Sequence, residues 1–239
     1  MYQEKVLITS NDVDNHLNLK VPSIFRLMQM VSTNHSEKLS LGQKDTIDKG
    51  LCWVIIRSKV VIYKYPKMND EIVVTTHPGE VNKFLFPRFY AIYDHKGNLL
   101  ISGSSIWVLV DIKTRRLVTR PFEGRTFPSE THKDDIGLPE KLNLPQLDKI
   151  EDRKVRYNDI DLNGHLNNTK YIDYIIDTKN KEFYDEFQVK SVNICYDKEI
   201  REGETISLYS DNEDNFSIRG EKDGLTCFSA FIEVEKRSK

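Results

Sequence analysis

The chain predicts an α+β protein built from two similar helix-plus-sheet units, and three observations carry that prediction. A polar stretch, NDVDNHLN at Asn11 to Asn18, returns as NDIDLNGHLN at Asn158 to Asn167. Each copy is followed by a helical apolar stripe and then by β-branched, aromatic runs bounded by turn residues. Between the two lies a segment holding four of the eight prolines, Pro121, Pro128, Pro139 and Pro145, among charged residues. An internal repeat of this period is read as a duplicated structural unit. The expected division is a first unit at 1–120, a partly extended linker at 121–151 and a second unit at 152–239.

Residues 2–10 alternate loosely through Tyr2, Val6 and Ile8 and suit a first strand. After the first repeat, Pro22 fits the first turn of a helix, and Ile24, Leu27, Met28, Val31, His35 and Leu39 keep helical spacing until Gly42. Strands follow in WVIIRSKVVIYKYP, IVVTT, FLFPRFYAIYD and LISGSSIWVLVD, with a hairpin turn at Asp94 to Asn98. One helix followed by antiparallel strands implies a helix lying on the concave face of a sheet. The second unit repeats the order, with Tyr171, Ile172, Ile175 and Ile176 as its stripe, and Asn167, Asn168 and Thr169 as candidate caps. Its strands are VKSVNICYDKEI, ETISLYSD, FSIRGEKD and LTCFSAFIEVEK. Within the repeat the first copy is two residues shorter. His16, Leu17 and Asn18 therefore pair with His165, Leu166 and Asn167, and Asn163 has no clear counterpart.

Composition excludes several classes. A formal net charge of -2 and a sequence pI near 6.3 give no overall basic field for nucleic acid, and no DNA-binding helix pair is evident. The amino terminus lacks the apolar core of a signal peptide, and the longest apolar runs are too short to span a bilayer. Cys52, Cys195 and Cys227 lie far apart without a C-x-x-C pair, which argues for a reducing, cytoplasmic compartment and against a disulfide framework or zinc site. Cys195 is read as core.

Chemistry concentrates in the second copy. Asp161, Asn163 and His165 bring a carboxylate, an amide and an imidazole to a helix entrance, where free N–H groups and the helix dipole favour negative charge. Clusters of Asn and Asp are also ordinary turn formers. Glu199, at the end of a strand downstream, is the second acid, and the parallel alignment places Tyr65 opposite it. Only the second unit thus holds Asp, Asn, His and Glu together.

Three stretches carry a resemblance. DLNGHLNNTKYIDYI (Asp161 to Ile175), YDKEIREG (Tyr196 to Gly203) and SSIWVLVDIKTRRLVTRP (Ser104 to Pro121) are similar, in this order, to segments of the acyl–acyl carrier protein thioesterases of plants and bacteria. The resemblance implies a double hotdog, two long helices each wrapped by an antiparallel sheet. It also implies thioester hydrolysis without metal or cofactor, releasing a fatty acid from acyl carrier protein. The second unit would carry catalysis through Asp161, Asn163, His165 and Glu199, and the first would line the acyl pocket. One position departs: plant members often have Cys after the glutamate, and here it is Ile200. In the implied chemistry Glu199 and His165 pair to activate water or orient the attacking group, Asn163 with backbone N–H groups polarises the carbonyl, and Asp161 either orients the network or attacks directly. Carrier protein is acidic, so docking would fall to basic patches, with Lys113, Arg115, Arg116 and Arg120 as one candidate and Lys198 with Arg201 as another. Rival readings are a hotdog thioesterase or hydratase acting on acyl-CoA, an acyl-binding module without catalysis and, remotely, a cysteine protease. Either a monomer or a homodimer is compatible with the duplication.

Overall fold

The computed structural model describes residues 1–119, 127–211 and 213–237. Two compact units divide the chain, Met1–Pro139 and Glu140–Lys239. The first contains strand β1 (Tyr2–Leu7), helices α1 (Val21–Lys38) and α2 (Gln43–Ile47), and strands β2 (Leu51–Ile62), β3 (Glu71–Pro78), β4 (Phe86–Asp94) and β5 (Leu99–Asp111). The second contains β6 (Asp148–Lys154), α3 (Asn168–Ile176), α4 (Lys181–Glu186), β7 (Phe187–Tyr196), β8 (Thr205–Ser210), β9 (Phe216–Lys222) and β10 (Leu225–Lys236). Strand β6 begins inside the range read from sequence as linker.

Both sheets are antiparallel and share one topology. In the first unit β1 pairs with β3, β3 with β4, β4 with β5 and β5 with β2. In the second β6 pairs with β8, β8 with β9, β9 with β10 and β10 with β7. The same connectivity built twice is the structural form of the sequence repeat.

Helix α1 packs one face on its sheet, burying Ile24, Met28, Val31 and His35. It approaches closely at Gly103 of β5, where a Cβ would stand 2.9 Å from the Met28 methyl. Helix α3 is short, nine residues, where the sequence suggested a long helix. Its apolar stripe ends at Ile176, and the polar run Asp177 to Asn180 follows, with Asn180 capping α4 through the Phe183 N–H. Tyr171, Ile172, Tyr174 and Ile175 fill the buried face, so Tyr174 takes the place expected of Ile176.

The two helix–sheet layers differ in chemistry although their strands correspond. In the second unit Phe216, Ile218, Ala230 and Ile232 are fully buried and apolar. The corresponding positions in the first unit are Arg88, Tyr90, Gly103 and Ser105. Tyr90 shares its hydroxyl with Ser32 Oγ (2.8 Å) and Ser105 Oγ (2.9 Å), and the Trp107 indole donates to Ser105 (2.8 Å). Arg88 donates to His35 Nδ1 (3.0 Å), Thr76 Oγ1 (3.3 Å) and Ser36 Oγ (3.2 Å). Polar groups in such a layer hold their place by satisfying one another.

His35 accepts from a guanidinium, so its ring is neutral. Burial, followed by the field of Arg88, pushes its pKa down to about 4. A histidine depressed in the fold binds fewer protons than in the unfolded chain, so stability falls as pH drops from about 6.5 towards 4. Burial also lowers His77, against the opposing pull of Asp135, and adds in the same direction. Urea unfolding at pH 7 and pH 5 is expected to show a loss of roughly 2 kcal/mol from His35. The His35→Gln variant keeps an acceptor for Arg88 and should remove that part of the slope; an unchanged slope would exclude His35 as its source.

Candidate functional site

The loop between β6 and α3 carries three of the four expected site residues. Asp161 shapes it: its Oδ1 accepts from the N–H groups of Asn163 (2.8 Å) and His165 (3.2 Å). Its Oδ2 accepts from the Asn163 amide (3.3 Å). Two backbone bonds close the turn, Gly164 N–H to Asp161 O (3.0 Å) and Asp161 N–H to His165 O (2.7 Å). Gly164 sits at φ 76°, a left-handed conformation that glycine adopts without strain.

The loop is pinned to its helix at both ends. Asp159 accepts from the Arg156 N–H and from the Tyr174 hydroxyl of α3, each at 2.9 Å. Asn167 caps α3 by accepting from the Thr169 N–H (2.9 Å) and hydroxyl (3.0 Å). The Asn167 N–H is taken by Asp159 O (2.8 Å). The N–H groups of Asn167, Thr169 and Lys170 at the helix entrance therefore already have partners, and the Asn163 side chain, exposed on the turn, is a further donor beside them.

Glu199 arrives from the other side. Strand β7 ends at Tyr196, and Glu199 lies in the loop three residues beyond it, not at the strand's end as expected. The Asp197 and Lys198 N–H groups donate to Cys227 O (2.8 and 3.0 Å). Tyr171 of α3 donates to Lys198 O (3.5 Å), and Leu166 N–H donates to Ile200 O (2.7 Å). A backbone bridge between His165 and Arg201 completes the contact. The Glu199 carboxylate comes to 3.3 Å from His165 Nε2; the His165 side chain is 13% exposed and that of Glu199 38%. The structure thus brings all four residues together.

Tyr171 is the residue that sequence reasoning undervalued. In sequence it belongs to an apolar stripe and to the family-like run without a role of its own, yet its hydroxyl reaches the Glu199 loop, and its ring meets Tyr196 and Phe228 edge-on. Burial, with smaller contributions from Glu199 and Asp161, raises its pKa, so the phenol stays protonated. An aromatic residue with a hydroxyl partner is indistinguishable in sequence from one without. Among the described residues no group of three or more His, Cys, Asp or Glu side chains is placed to hold a metal ion.

The first copy of the loop has the same backbone. Asp14 Oδ1 accepts from the His16 and Asn18 N–H groups (2.9 and 3.0 Å), and Asp14 N–H donates to Asn18 O (2.9 Å). Leu17 occupies the left-handed position at φ 62°. The copies therefore match without a gap, which corrects the pairing drawn from sequence. His16 stands where Asn163 does, Leu17 where Gly164 does, and Asn18 where His165 does. Leu19 N–H donates to Pro66 O as Leu166 N–H does to Ile200 O, so Tyr65 stands at Glu199, as expected. The first turn keeps the aspartate and lacks the imidazole–carboxylate pair.

Both units fit the helix-on-sheet class expected of hotdog proteins, and comparison with known proteins places the chain within it. Residues 1–123 match the acyl-ACP thioesterase N-terminal domain and residues 143–235 the C-terminal domain of the same family. The chain belongs to the acyl-ACP thioesterase family. A chloroplastic acyl-[acyl-carrier-protein] hydrolase of Cuphea viscosissima is 27% identical over 215 residues, 84% of this chain and 52% of that protein. Oleoyl-acyl carrier protein thioesterase 1 of Arabidopsis thaliana is 27% identical over 225 residues, covering 86% and 62%. The chain spans about half the length of the first of these curated relatives. Among solved structures, an acyl-ACP thioesterase from Bacteroides thetaiotaomicron superposes with a TM-score of 0.90 at 20% identity, covering 98% of this chain and 97% of that one. The 12:0-ACP thioesterase from Umbellularia californica gives 0.85 at 22%, covering 99% and 97%. These likenesses establish the fold as a double hotdog.

Removing the Asp161 carboxylate should loosen the turn. In Asp161→Ala, amide hydrogen exchange at Asn163 and His165 is expected to speed up about tenfold, the equivalent of ~1.4 kcal/mol. Asp161→Asn, which keeps an acceptor oxygen, should stay near wild type. Equal protection in all three would show that the carboxylate does not hold the loop.

Proposed function

We propose that this chain hydrolyses the thioester of a fatty acyl group carried on acyl carrier protein, releasing the free acid and ending chain growth. The observation that carries the reading is the 3.3 Å approach of Glu199 to His165 on a turn that also presents Asn163, in a chain of the acyl-ACP thioesterase family. In the proposed step Glu199 orients the His165 imidazole, which takes a proton from water. The water oxygen bonds to the thioester carbon while the Asn163 amide, with one N–H still unused by Asp161, donates to the carbonyl oxygen. The C–S bond then breaks, and the thiolate leaves with the proton returned by His165.

Asp161 is assigned the role of positioning residue. Its oxygens accept three N–H bonds, and the first copy keeps the same aspartate without the pair it would need for chemistry. Both facts support orientation over direct attack. Asn18 and Tyr65 at the His165 and Glu199 positions support a non-catalytic first unit, to which the acyl-lining role is left. Of the two basic patches, Lys198 and Arg201 bracket Glu199 in sequence. Arg120 lies outside the described residues. No described helix is long and apolar enough to cross a membrane, and three cysteines that remain thiols suit a reducing cytoplasm.

Thiol release from matched acyl-carrier and acyl-CoA thioesters, C8 to C18, tests the assignment. Wild type should favour the carrier-bound series, and His165→Ala should abolish turnover. Asn163→Ala should lower kcat by a factor of 100–1,000, about 3–4 kcal/mol, with KM little changed. Preference for CoA would move the substrate class, and an unchanged kcat in Asn163→Ala would remove the oxyanion role.

A further inference from the structure

The loop that holds the site also exposes two large apolar side chains. Tyr157 and Leu162 are each 74% exposed, more than any other large hydrophobic residue among those described. Leu162 lies between Asp161 and Asn163, and Tyr157 opens the short 3-10 turn that leads into the loop. The ungapped match between the two copies supplies an internal control. At these positions the first turn carries Ser10 and Asn15, so the backbone does not require apolar residues there. Exposed apolar groups are ordinary when scattered singly. Here two fall on the one loop that carries the catalytic set; the first copy exposes Leu7 and Leu17, to a lesser degree and at other positions of the repeat.

Charge surrounds them. Lys154, Arg156, Lys198 and Arg201 are all exposed, and none has a carboxylate within ion-pair distance among the described residues. Several other cations of this unit are paired, Lys170 with Asp173, Lys181 with Asp185 and Lys222 with Glu204. Lys198 and Arg201 flank Glu199, while Lys154 and Arg156 lead into Tyr157. Exposed acids nearby are Asp197, Glu199 and Glu202. At Lys154 and Arg156 the first copy has Leu7 and Thr9.

We infer that Tyr157 and Leu162 are apolar anchors of a docking surface whose cationic rim is Lys154, Arg156, Lys198 and Arg201. The occupant is an acidic carrier protein that presents its thioester arm to His165 and Glu199. The inference rests on the thioesterase reading and adds to it where the partner sits. The rim complements an acidic surface and steers its approach, and the anchors supply the desolvated contact that sets residence time. A coenzyme A thioester offers phosphates to the rim but has no protein surface to cover both anchors.

The test replaces the anchors with this chain's own alternatives, Tyr157→Ser with Leu162→Asn, so that both new residues already occur in the same turn of the first unit. A second variant, Lys198→Glu with Arg201→Glu, reverses part of the rim. For each, kcat/KM is measured on acyl-carrier and acyl-pantetheine thioesters, and binding of holo-carrier protein is followed by fluorescence anisotropy. The anchor variant is expected to lower the carrier-to-pantetheine ratio of kcat/KM at least tenfold, through KM, and to weaken holo-carrier binding by a similar factor. The rim variant should lose more at 20 mM salt than at 300 mM. An unchanged ratio with unchanged binding overturns the inference. So does conversion of a dimer to a monomer in sedimentation, which would make the patch a self-interface. If wild type cleaves neither thioester, the thioesterase reading fails on its own, and the docking surface is still decided by whether holo-carrier binds wild type and not the anchor variant.

Discussion

A single carboxylate organises the turn on which the proposed chemistry depends. Asp161 gathers the N–H groups of Asn163 and His165 and, through its second oxygen, the Asn163 side chain. Backbone amides that would otherwise need water are satisfied by one residue, and the side chains they carry are thereby aimed. A few contacts within the second unit bring Glu199 to this turn. Tyr171 holds the loop from below, Cys227 O holds it from the neighbouring strand, and the bridge from His165 to Arg201 fixes the approach.

Duplication separates what the turn needs from what the chemistry needs. The first copy retains the aspartate, its two backbone bonds and even the left-handed residue, as Leu17. It has Asn18 in place of His165 and Tyr65 in place of Glu199, and its own imidazole, His16, stands at the Asn163 position. In this turn the features kept in both copies serve its fold, and those confined to the second are the ones the proposed chemistry uses. The same comparison in the helix–sheet layers runs the other way. There the second unit is apolar, and the first has acquired a hydrogen-bonded set around Arg88, Tyr90 and Ser105.

Much of this was legible in the sequence because period-two apolar patterns mark strands directly; β10 spans the residues its pattern suggested. Proline at the start of α1 and the Asn167 cap of α3 were equally readable. The register between the copies was not. Matching His16 to His165 by residue type requires a gap, whereas the backbone aligns Leu17 with Gly164, and a leucine gives no sign of a positive φ. The short α3 was hidden because its stripe continues by one residue past the last buried turn. Glu199 and His165 are 34 positions apart in sequence, and the alignment of the copies groups them in one unit without showing that they touch.

The central claim is that Asp161 positions the site while water, activated by His165, attacks the thioester. A single turnover with enzyme in excess over acyl-carrier substrate, run in 18O-labelled water, tests it most directly. Attack by water places one labelled oxygen in the released fatty acid and none in the protein, and a rapid acid quench during the turnover finds no acylated protein by mass spectrometry. Unlabelled acid together with label in the peptide containing Asp161 would mean that the carboxylate had bonded to the acyl group, and would contradict the claim.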